Sequence, residues 1–101
     1  MIVLHAAFPI KPEKREEALE LAETLVEKSN AEDGMLDYRA TTDVVEENTI
    51  RFFERYEDGA AFESHTQTEH FREFEAALPD LLAGEPEVLQ FDVEAATELE
   101  L

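Results

Sequence analysis

The stretch IRFFERYEDGAAFESHTQTEHF, residues 50–71, decides the fold of this chain. Its first part is rich in aromatic residues, which favours a strand that holds Glu54 among aromatic side chains. Asp58 and the glycine after it then interrupt the strand pattern, and Asp58 suits the N-cap of a helix. A helical pattern that carries His65 follows. The stretch therefore predicts a strand that turns sharply into a helix.

Outside this stretch the sequence predicts three more strands and another amphipathic helix. Gly34 suits a left-handed turn after the first helix, and Pro79 is expected to end or kink the last one, because proline loses a helix hydrogen bond. The order β-α-β-β-α-β predicts an α+β, ferredoxin-like fold with an antiparallel sheet covered by helices on one face. The predicted elements are strands over 2–10, 35–45, 49–57 and 88–93, a helix over 12–30, and helical pieces that begin near Asp58 and after Thr68.

Apolar residues fall on both faces of the predicted sheet. In the third strand Phe52 and Tyr56 point one way and Phe53 points the other, because side chains alternate along a strand. Helices cover one face only, so we expect a second sheet to pack on the other, which predicts a homodimer. The alternative is a monomer whose outer sheet face is exposed to solvent. Arg51 and Arg55 would suit such a face.

The charge of the chain is strongly negative. Twenty-six acidic residues stand against eight basic ones, which leaves a formal charge of −18. Such a field repels nucleic acids and anionic membranes, so neither is expected as a partner. A hydrophobic content of 44% argues against an unfolded chain. We interpret the charge as a halophilic adaptation, with an ordinary acidic protein as the alternative.

A length of 101 residues predicts one domain. We expect this domain to span residues 1–94 and residues 95–101 to form an acidic C-terminal tail. The sequence has no cysteine, which excludes disulfides and thiolate chemistry. It also lacks an apolar run that could cross a membrane and the pattern of a secretion signal, so a cytoplasmic location is expected.

The deciding stretch resembles the antibiotic biosynthesis monooxygenase family, and the quinol monooxygenases in particular. The resemblance lies in Glu54 near the end of an aromatic strand, in Phe62 and His65 on the following helix, and in the Glu-His-Phe sequence that ends at Phe71. It implies a dimeric α+β barrel and a small monooxygenase that oxidises a quinol or phenol with O2 without a cofactor. A fold of this kind hosts several chemistries, so the substrate does not follow from it.

Two residues are the candidates for catalysis. The resemblance places the helix histidine of the family at His65, which could act as a base or hydrogen-bond donor. It could equally be a packing or capping histidine. Glu54 is expected to orient His65, and burial among aromatic rings would raise its pKa and make it a proton acceptor. Its alternative is an ion pair with an arginine of a neighbouring strand such as Arg39, or with a partner subunit.

Further residues are expected to contact the substrate. Tyr38 could supply a phenol to the cavity or merely fill it. His5 could line the same cavity, although a histidine satisfied within the core is the simpler interpretation. His70 is interpreted as a solvated or capping residue. The expected substrate-binding residues are Tyr38, Phe52, Tyr56, Phe62 and His5.

No metal or cofactor is expected. His65 and His70 are five residues apart, about 140° around a continuous helix, so they would not share a face as a ligand pair does. The sequence has no glycine-rich phosphate loop. Haem-degrading relatives of the family use an asparagine, a tryptophan and a histidine. Here the corresponding places hold His5 or a neighbour, His65 and Glu75, and the chain has no tryptophan.

Two other classes of function remain open at this stage. The same barrel could be a non-catalytic dimer that binds a small ligand or is associated with stress. It could also be an isomerase or a lyase-like enzyme that transfers protons. Dioxygen consumption with a panel of quinols would separate the monooxygenase from both.

Overall fold

A computed structural model describes residues 1–101 and shows four strands and three helices. A single 3-10 turn at Pro12–Lys14 leads into the first helix, where proline suits the first turn. None of the helices combines the length and the apolar character that a membrane crossing requires. The elements are β1 (Ile2–Pro9), α1 (Arg15–Ser29), β2 (Met35–Thr42), β3 (Thr49–Tyr56), α2 (Gly59–Thr66), α3 (Glu69–Leu81) and β4 (Glu87–Asp92).

The four strands form one antiparallel sheet in the order β2-β3-β1-β4. The predicted α+β, ferredoxin-like fold is therefore confirmed. In the centre of the sheet Leu4 lies opposite Glu54, and Ala6 lies opposite Phe52. All four of these residues are buried under the helices. We call this side of the sheet the covered face and the other side the open face.

Alternation along β3 separates the two faces. Phe52 is 1% exposed on the covered face, whereas its neighbour Phe53 is 42% exposed on the open face. Phe52 makes edge-to-face contacts with Phe8, Tyr38 and Phe74, at centroid distances of 5.4–5.8 Å, which is a favourable geometry for aromatic pairs. Aromatic side chains from three strands and one helix therefore meet at the centre of the core.

The helices α2 and α3 begin where the sequence supplies a side-chain cap. The Asp58 carboxylate accepts a hydrogen bond from the Ala61 amide at 2.9 Å, which fixes the start of α2. The Thr68 hydroxyl accepts from the Phe71 amide and donates to the His65 carbonyl. Thr68 therefore starts α3 and ties it to the last turn of α2, so the two helices are separated by a fixed break.

Gly34 has a φ of 82°, which confirms the predicted left-handed turn. A β-carbon at this position would lie 2.7 Å from the Ala61 side chain. The loop after α1 can therefore approach α2 closely only because residue 34 is glycine. This approach also brings the neighbouring Glu32 to the helices.

The clearest differences between the observed and the predicted ends are in β2 and α3. β2 ends at Thr42 instead of residue 45, because the Asp43 carboxylate accepts from the Val45 and Glu46 amides and folds these residues into a turn. α3 continues for two residues beyond Pro79 and ends at Leu81. After β4, the Val93 amide donates to the Met1 carbonyl, and no regular element follows.

Candidate functional site

A cavity of about 280 Å³ lies between the covered face and the helices. Its wall is mainly apolar and is built from all four strands and all three helices. Four of the residues expected from the sequence line it, namely Tyr38, Phe52, Glu54 and Phe62. Thr66 and Glu75 add polar groups to the wall. The cavity is an apolar chamber with few polar groups, which is the usual form of a small-molecule site.

Glu54 is the buried acidic group in the wall of this chamber. Its side chain is 7% exposed, and its Oε1 accepts a hydrogen bond from the Tyr56 hydroxyl at 2.6 Å. Burial raises the pKa of Glu54 to about 7, although the Tyr56 and Tyr38 hydroxyls favour the ionised form. A carboxyl group with this pKa can accept a proton near neutral pH.

The predicted alternative for Glu54, an ion pair with Arg39, is wrong. Arg39 lies opposite Phe53 in the sheet and therefore points to the open face. Its guanidinium pairs with Asp37 at 2.8 Å. Glu54 has no cationic partner, so its hydrogen bonds come from phenols.

Tyr38 reaches the cavity because Asn30 holds its backbone. The Asn30 side chain donates to the Tyr38 carbonyl at 2.9 Å and accepts from the Tyr38 amide at 3.1 Å. Tyr38 is 2% exposed, and burial raises its pKa, with the nearby Glu54 adding to the rise. The phenol stays neutral and can donate a hydrogen bond into the cavity.

His65 lies behind the wall of the cavity. It is 1% exposed, and its ring contacts the rings of Tyr38, Tyr56 and Phe71 at centroid distances of 5.1–5.6 Å. Burial lowers the pKa of His65, although Glu32 opposes the shift, so the ring is neutral at pH 7. The side chain points neither to solvent nor into the cavity.

The carboxylate partner of His65 is Glu32 instead of the predicted Glu54. Glu32 Oε2 lies 2.8 Å from His65 Nδ1. Since a carboxylate oxygen accepts, Nδ1 carries the proton and Nε2 presents its lone pair. His65 Nε2 is buried and has no hydrogen-bond partner. The prediction was wrong because Glu54 and His65 lie on different layers, with tyrosine rings between them.

His70 shares the same carboxylate oxygen. Its Nε2 lies 2.6 Å from Glu32 Oε2, and its ring centroid is 6.1 Å from that of His65. The expectation that the two histidines diverge assumed one continuous helix and was wrong. The break at Thr68 turns α3 relative to α2, so both rings meet at Glu32.

Two other predicted residues do not reach the cavity. His5 lies opposite Phe53 and Leu89, so alternation places it on the open face, with the sheet between it and the cavity. Tyr56 is fully buried behind Glu54 and acts on the cavity only through its hydrogen bond. Glu32 was not predicted at all, because nothing in an Ala-Glu-Asp-Gly loop marks one carboxylate above its neighbour.

The sequence model of the family described as antibiotic biosynthesis monooxygenase matches residues 1–77. The chain belongs to this family. It is 42% identical over 93 residues to the Bacillus subtilis protein named "Putative monooxygenase YcnE", and the match covers 92% of this chain and 98% of that protein. Membership in the family supports a monooxygenase-like function in general terms.

Solved structures agree with this family assignment. A structure described as an antibiotic biosynthesis monooxygenase has a TM-score of 0.87 at 29% identity, covering 94% of this chain and 100% of that one. The Pseudomonas aeruginosa protein PA3566 has a TM-score of 0.85 at 30% identity, covering 93% and 94% of the two chains. The family fold therefore extends over nearly the whole chain, beyond the residues that the sequence model matches.

Proposed function

We propose that this family member is a cofactor-independent monooxygenase that oxidises a small quinol or phenol with O2. The observation that carries the proposal is Glu54, a buried carboxyl group with a pKa of about 7 that faces an apolar cavity. A proton acceptor in a dry aromatic chamber is what the activation of a phenol requires. The family assignment supports the same class of reaction.

In the proposed reaction Glu54 removes a hydroxyl proton of a phenol or quinol that carries a ring C–H group ortho or para to that hydroxyl. The electron-rich phenolate then reduces O2 directly. One oxygen atom is added at that ring carbon, where it gives a quinone carbonyl from a phenol or a hydroxyl group on the quinone from a quinol, and the other leaves as water with two hydrogens that the substrate has lost. Atoms and electrons balance without an outside reductant, which is consistent with the absence of flavin and nicotinamide motifs from the sequence.

The size of the cavity limits the substrate. Its volume of about 280 Å³ is near the lower end of ligand pockets, which range from about 300 to 1,000 Å³. Rings from Phe52, Phe62 and Phe71 line it and suit a flat aromatic ligand. We therefore expect a substrate of one or two rings, with Tyr38 as a hydrogen-bond donor to its oxygen.

His65 acts in this proposal as a positioning residue. Its ring packs against Tyr38 and Tyr56, whose hydroxyls both favour the ionised form of Glu54. Changing His65 to alanine should therefore shift the pH profile of turnover by disturbing these phenols. A residue that only supports the fold would lower the amount of active protein and leave the profile unchanged.

An oxygen electrode with a panel of one- and two-ring quinols tests the proposal. We expect protein-dependent O2 uptake that falls by about 10²- to 10⁴-fold in Glu54→Gln, because the variant lacks the proton acceptor. The matched control is Glu73→Gln, which changes an exposed carboxylate of α3 that does not line the cavity and should retain turnover. Uptake that is unchanged in Glu54→Gln would contradict the role of Glu54. No uptake with any quinol, but ligand binding in the cavity, would favour the non-catalytic alternative.

We also propose that two chains pair through their open faces. Phe53, Leu89 and Phe91 are 42–48% exposed in a single chain. Leu89 and Phe91 lie beside β1, and Phe53 lies on its other side, so together they form one apolar strip. Packing this strip against a second copy of the chain would remove its apolar surface from water, which favours pairing.

Light scattering tests the pairing. The chain should show about twice its mass of 11.5 kDa, and Phe53→Asp should show the mass of one chain, because a charge would then be buried in the interface. Thr41→Asp is the matched control, since Thr41 lies on the same face at the β2 edge of the sheet. A wild-type chain that is monomeric at micromolar concentration would contradict the pairing.

A further inference from the structure

We propose that Glu32, His65 and His70 form a binding site for a divalent transition-metal ion such as Zn²⁺. One oxygen of Glu32 and one nitrogen of each histidine lie within 4.8 Å of one another. The three side chains come from the loop after α1, from α2 and from α3. The site is separate from the cavity, because none of the three residues lines the cavity wall.

The present distances are close to those that an ion needs. Glu32 Oε2 is 2.8 Å from His65 Nδ1 and 2.6 Å from His70 Nε2. A tetrahedral Zn²⁺ ion binds such atoms at about 2.0–2.1 Å, which sets them about 3.3 Å apart. Each of these two oxygen–nitrogen pairs would therefore have to separate by less than about 1 Å. The ion would replace the ring protons that now lie between the carboxylate and the two imidazoles.

The three ligand atoms determine which metal ions the site favours. Two imidazole nitrogens and a carboxylate oxygen suit Zn²⁺, Co²⁺, Ni²⁺ and Cu²⁺, whereas Mg²⁺ and Ca²⁺ prefer oxygen ligands alone. The His65 side chain is 1% exposed, and those of Glu32 and His70 are 13% and 15% exposed. The site is thus mostly dry but open at one edge, so an ion can enter and a water molecule can complete its coordination.

The surroundings of the cluster favour a cation. The net charge of −18 raises the concentration of cations near the surface. In addition, Thr68 and Gly34 hold the three ligand-bearing segments in place, so little order must be gained on binding.

The unpartnered Nε2 atom of His65 is a second, independent observation. It is buried and has no hydrogen-bond partner while Nδ1 carries the proton. When an ion occupies Nδ1, the proton of the neutral ring moves to Nε2. The His65 ring packs against the rings of Tyr38, Tyr56 and Phe71, and an N–H group close to an aromatic ring makes a weak favourable contact.

Calorimetric titration of the chelator-treated chain with ZnCl2 in molar KCl tests the site, since salt suppresses binding to the acidic surface. We expect one ion per chain. Glu32→Gln and His70→Gln should weaken binding at least about 10-fold, because each removes one ligand. His5→Gln is the matched control, since it changes the one other histidine, on the open face, and should bind as the wild type does.

Circular dichroism of each variant shows whether it is folded, and His70→Gln is the variant of choice because His70 is partly exposed. Co²⁺ provides a second measurement. Its visible absorption should show a tetrahedral site with nitrogen and oxygen ligands in wild type and His5→Gln, and not in folded His70→Gln. Zn²⁺ affinity that is equal in wild type, Glu32→Gln and His70→Gln would overturn the proposal, as would the absence of binding to the wild type. Neither result depends on the proposed oxidation.

Discussion

The two faces of the sheet differ in how far a single chain supplies partners for their polar groups and cover for their apolar side chains. On the covered face Glu54 has a partner in Tyr56 and His65 has one in Glu32, although the Nε2 atom of His65 has none. On the open face apolar side chains such as Phe53 and Phe91 remain 42% and 48% exposed. Helices from the same chain cover the first face, whereas nothing in the chain covers the second. The difference supports the two proposals made above, that the chemistry takes place on the covered face and that two chains pair through the open face.

Charges follow the same division. On the open face Arg39 and Arg55 pair with Asp37 at partly exposed positions, where an ion pair contributes little to stability. On the covered face Glu54 has no cation and is held by phenols, so its ionised form is costly. The buried carboxyl group of Glu54 therefore makes the covered face sensitive to pH, and the charge of the whole surface makes the chain sensitive to salt.

The largest expected effect compares two adjacent phenylalanines. Phe52→Ala should lower the free energy of unfolding by about 3–5 kcal/mol, because it leaves a cavity in the aromatic core. Phe53→Ala should lower it by less than about 1 kcal/mol at concentrations where the chain is monomeric, since its ring is partly solvated there. Urea denaturation measures both values. Equal losses for the two variants would show that the faces are not distinct.

A second prediction concerns the pH dependence of stability. The pKa of Glu54 is raised from 4.5 to about 7 in the folded chain. Between these values the folded state holds a proton that the unfolded state has lost, so stability falls as pH rises through this window. The loss is complete above about pH 7 and amounts to about 3 kcal/mol.

Urea denaturation of wild type and Glu54→Gln at pH 4 and pH 8 isolates this contribution. Glutamine keeps an oxygen for Tyr56 and carries no charge, so the variant should gain stability relative to wild type by about 3 kcal/mol between the two pH values. Glu75→Gln should follow the wild type, since Glu75 is exposed. Parallel curves for wild type and Glu54→Gln would contradict the raised pKa.

The smallest expected effect is that of salt, which screens the negative charges on the surface of the chain. Repulsion within a chain of net charge −18 should weaken as KCl rises from 0.05 to 1 M. We expect a gain of about 1 kcal/mol and a rise in Tm of about 4–8 °C, measured by differential scanning calorimetry. Tetramethylammonium chloride at the same ionic strength controls for effects specific to potassium. A Tm that does not change with salt would contradict the halophilic interpretation.

Much of the fold could be predicted from local pattern. The Asp58 cap, the Gly34 turn and the alternation in β3 each depend on residues close in sequence, and the structure shows all three. The position of Glu54 on the covered face followed from the same alternation. The end of β2 was predicted too late, because the hydrogen bonds of one aspartate at residue 43 outweigh the β propensity of the two valines after it.

The candidate metal cluster could not be predicted in this way. Glu32 is 33 residues from His65 and 38 from His70, so no sequence period relates them. The spacing of the two histidines even argued against a common site, because that argument used the geometry of one continuous helix. A break at Thr68 was visible in the sequence, but the angle it gives to α3 depends on the packing of both helices against the sheet.

The sequence by itself determined the order of strands and helices, the family, the charge and the alternation of strand residues between the two sides of the sheet. These properties arise from periodicity, capping and composition, which act over a few residues or over the chain as a whole. Only the tertiary structure decided that Glu32, rather than Glu54, holds His65, that His70 joins them, and that His5 is cut off from the cavity by the sheet. Such contacts join segments that are distant in the chain, and their geometry is set by how helices and loops pack on one sheet.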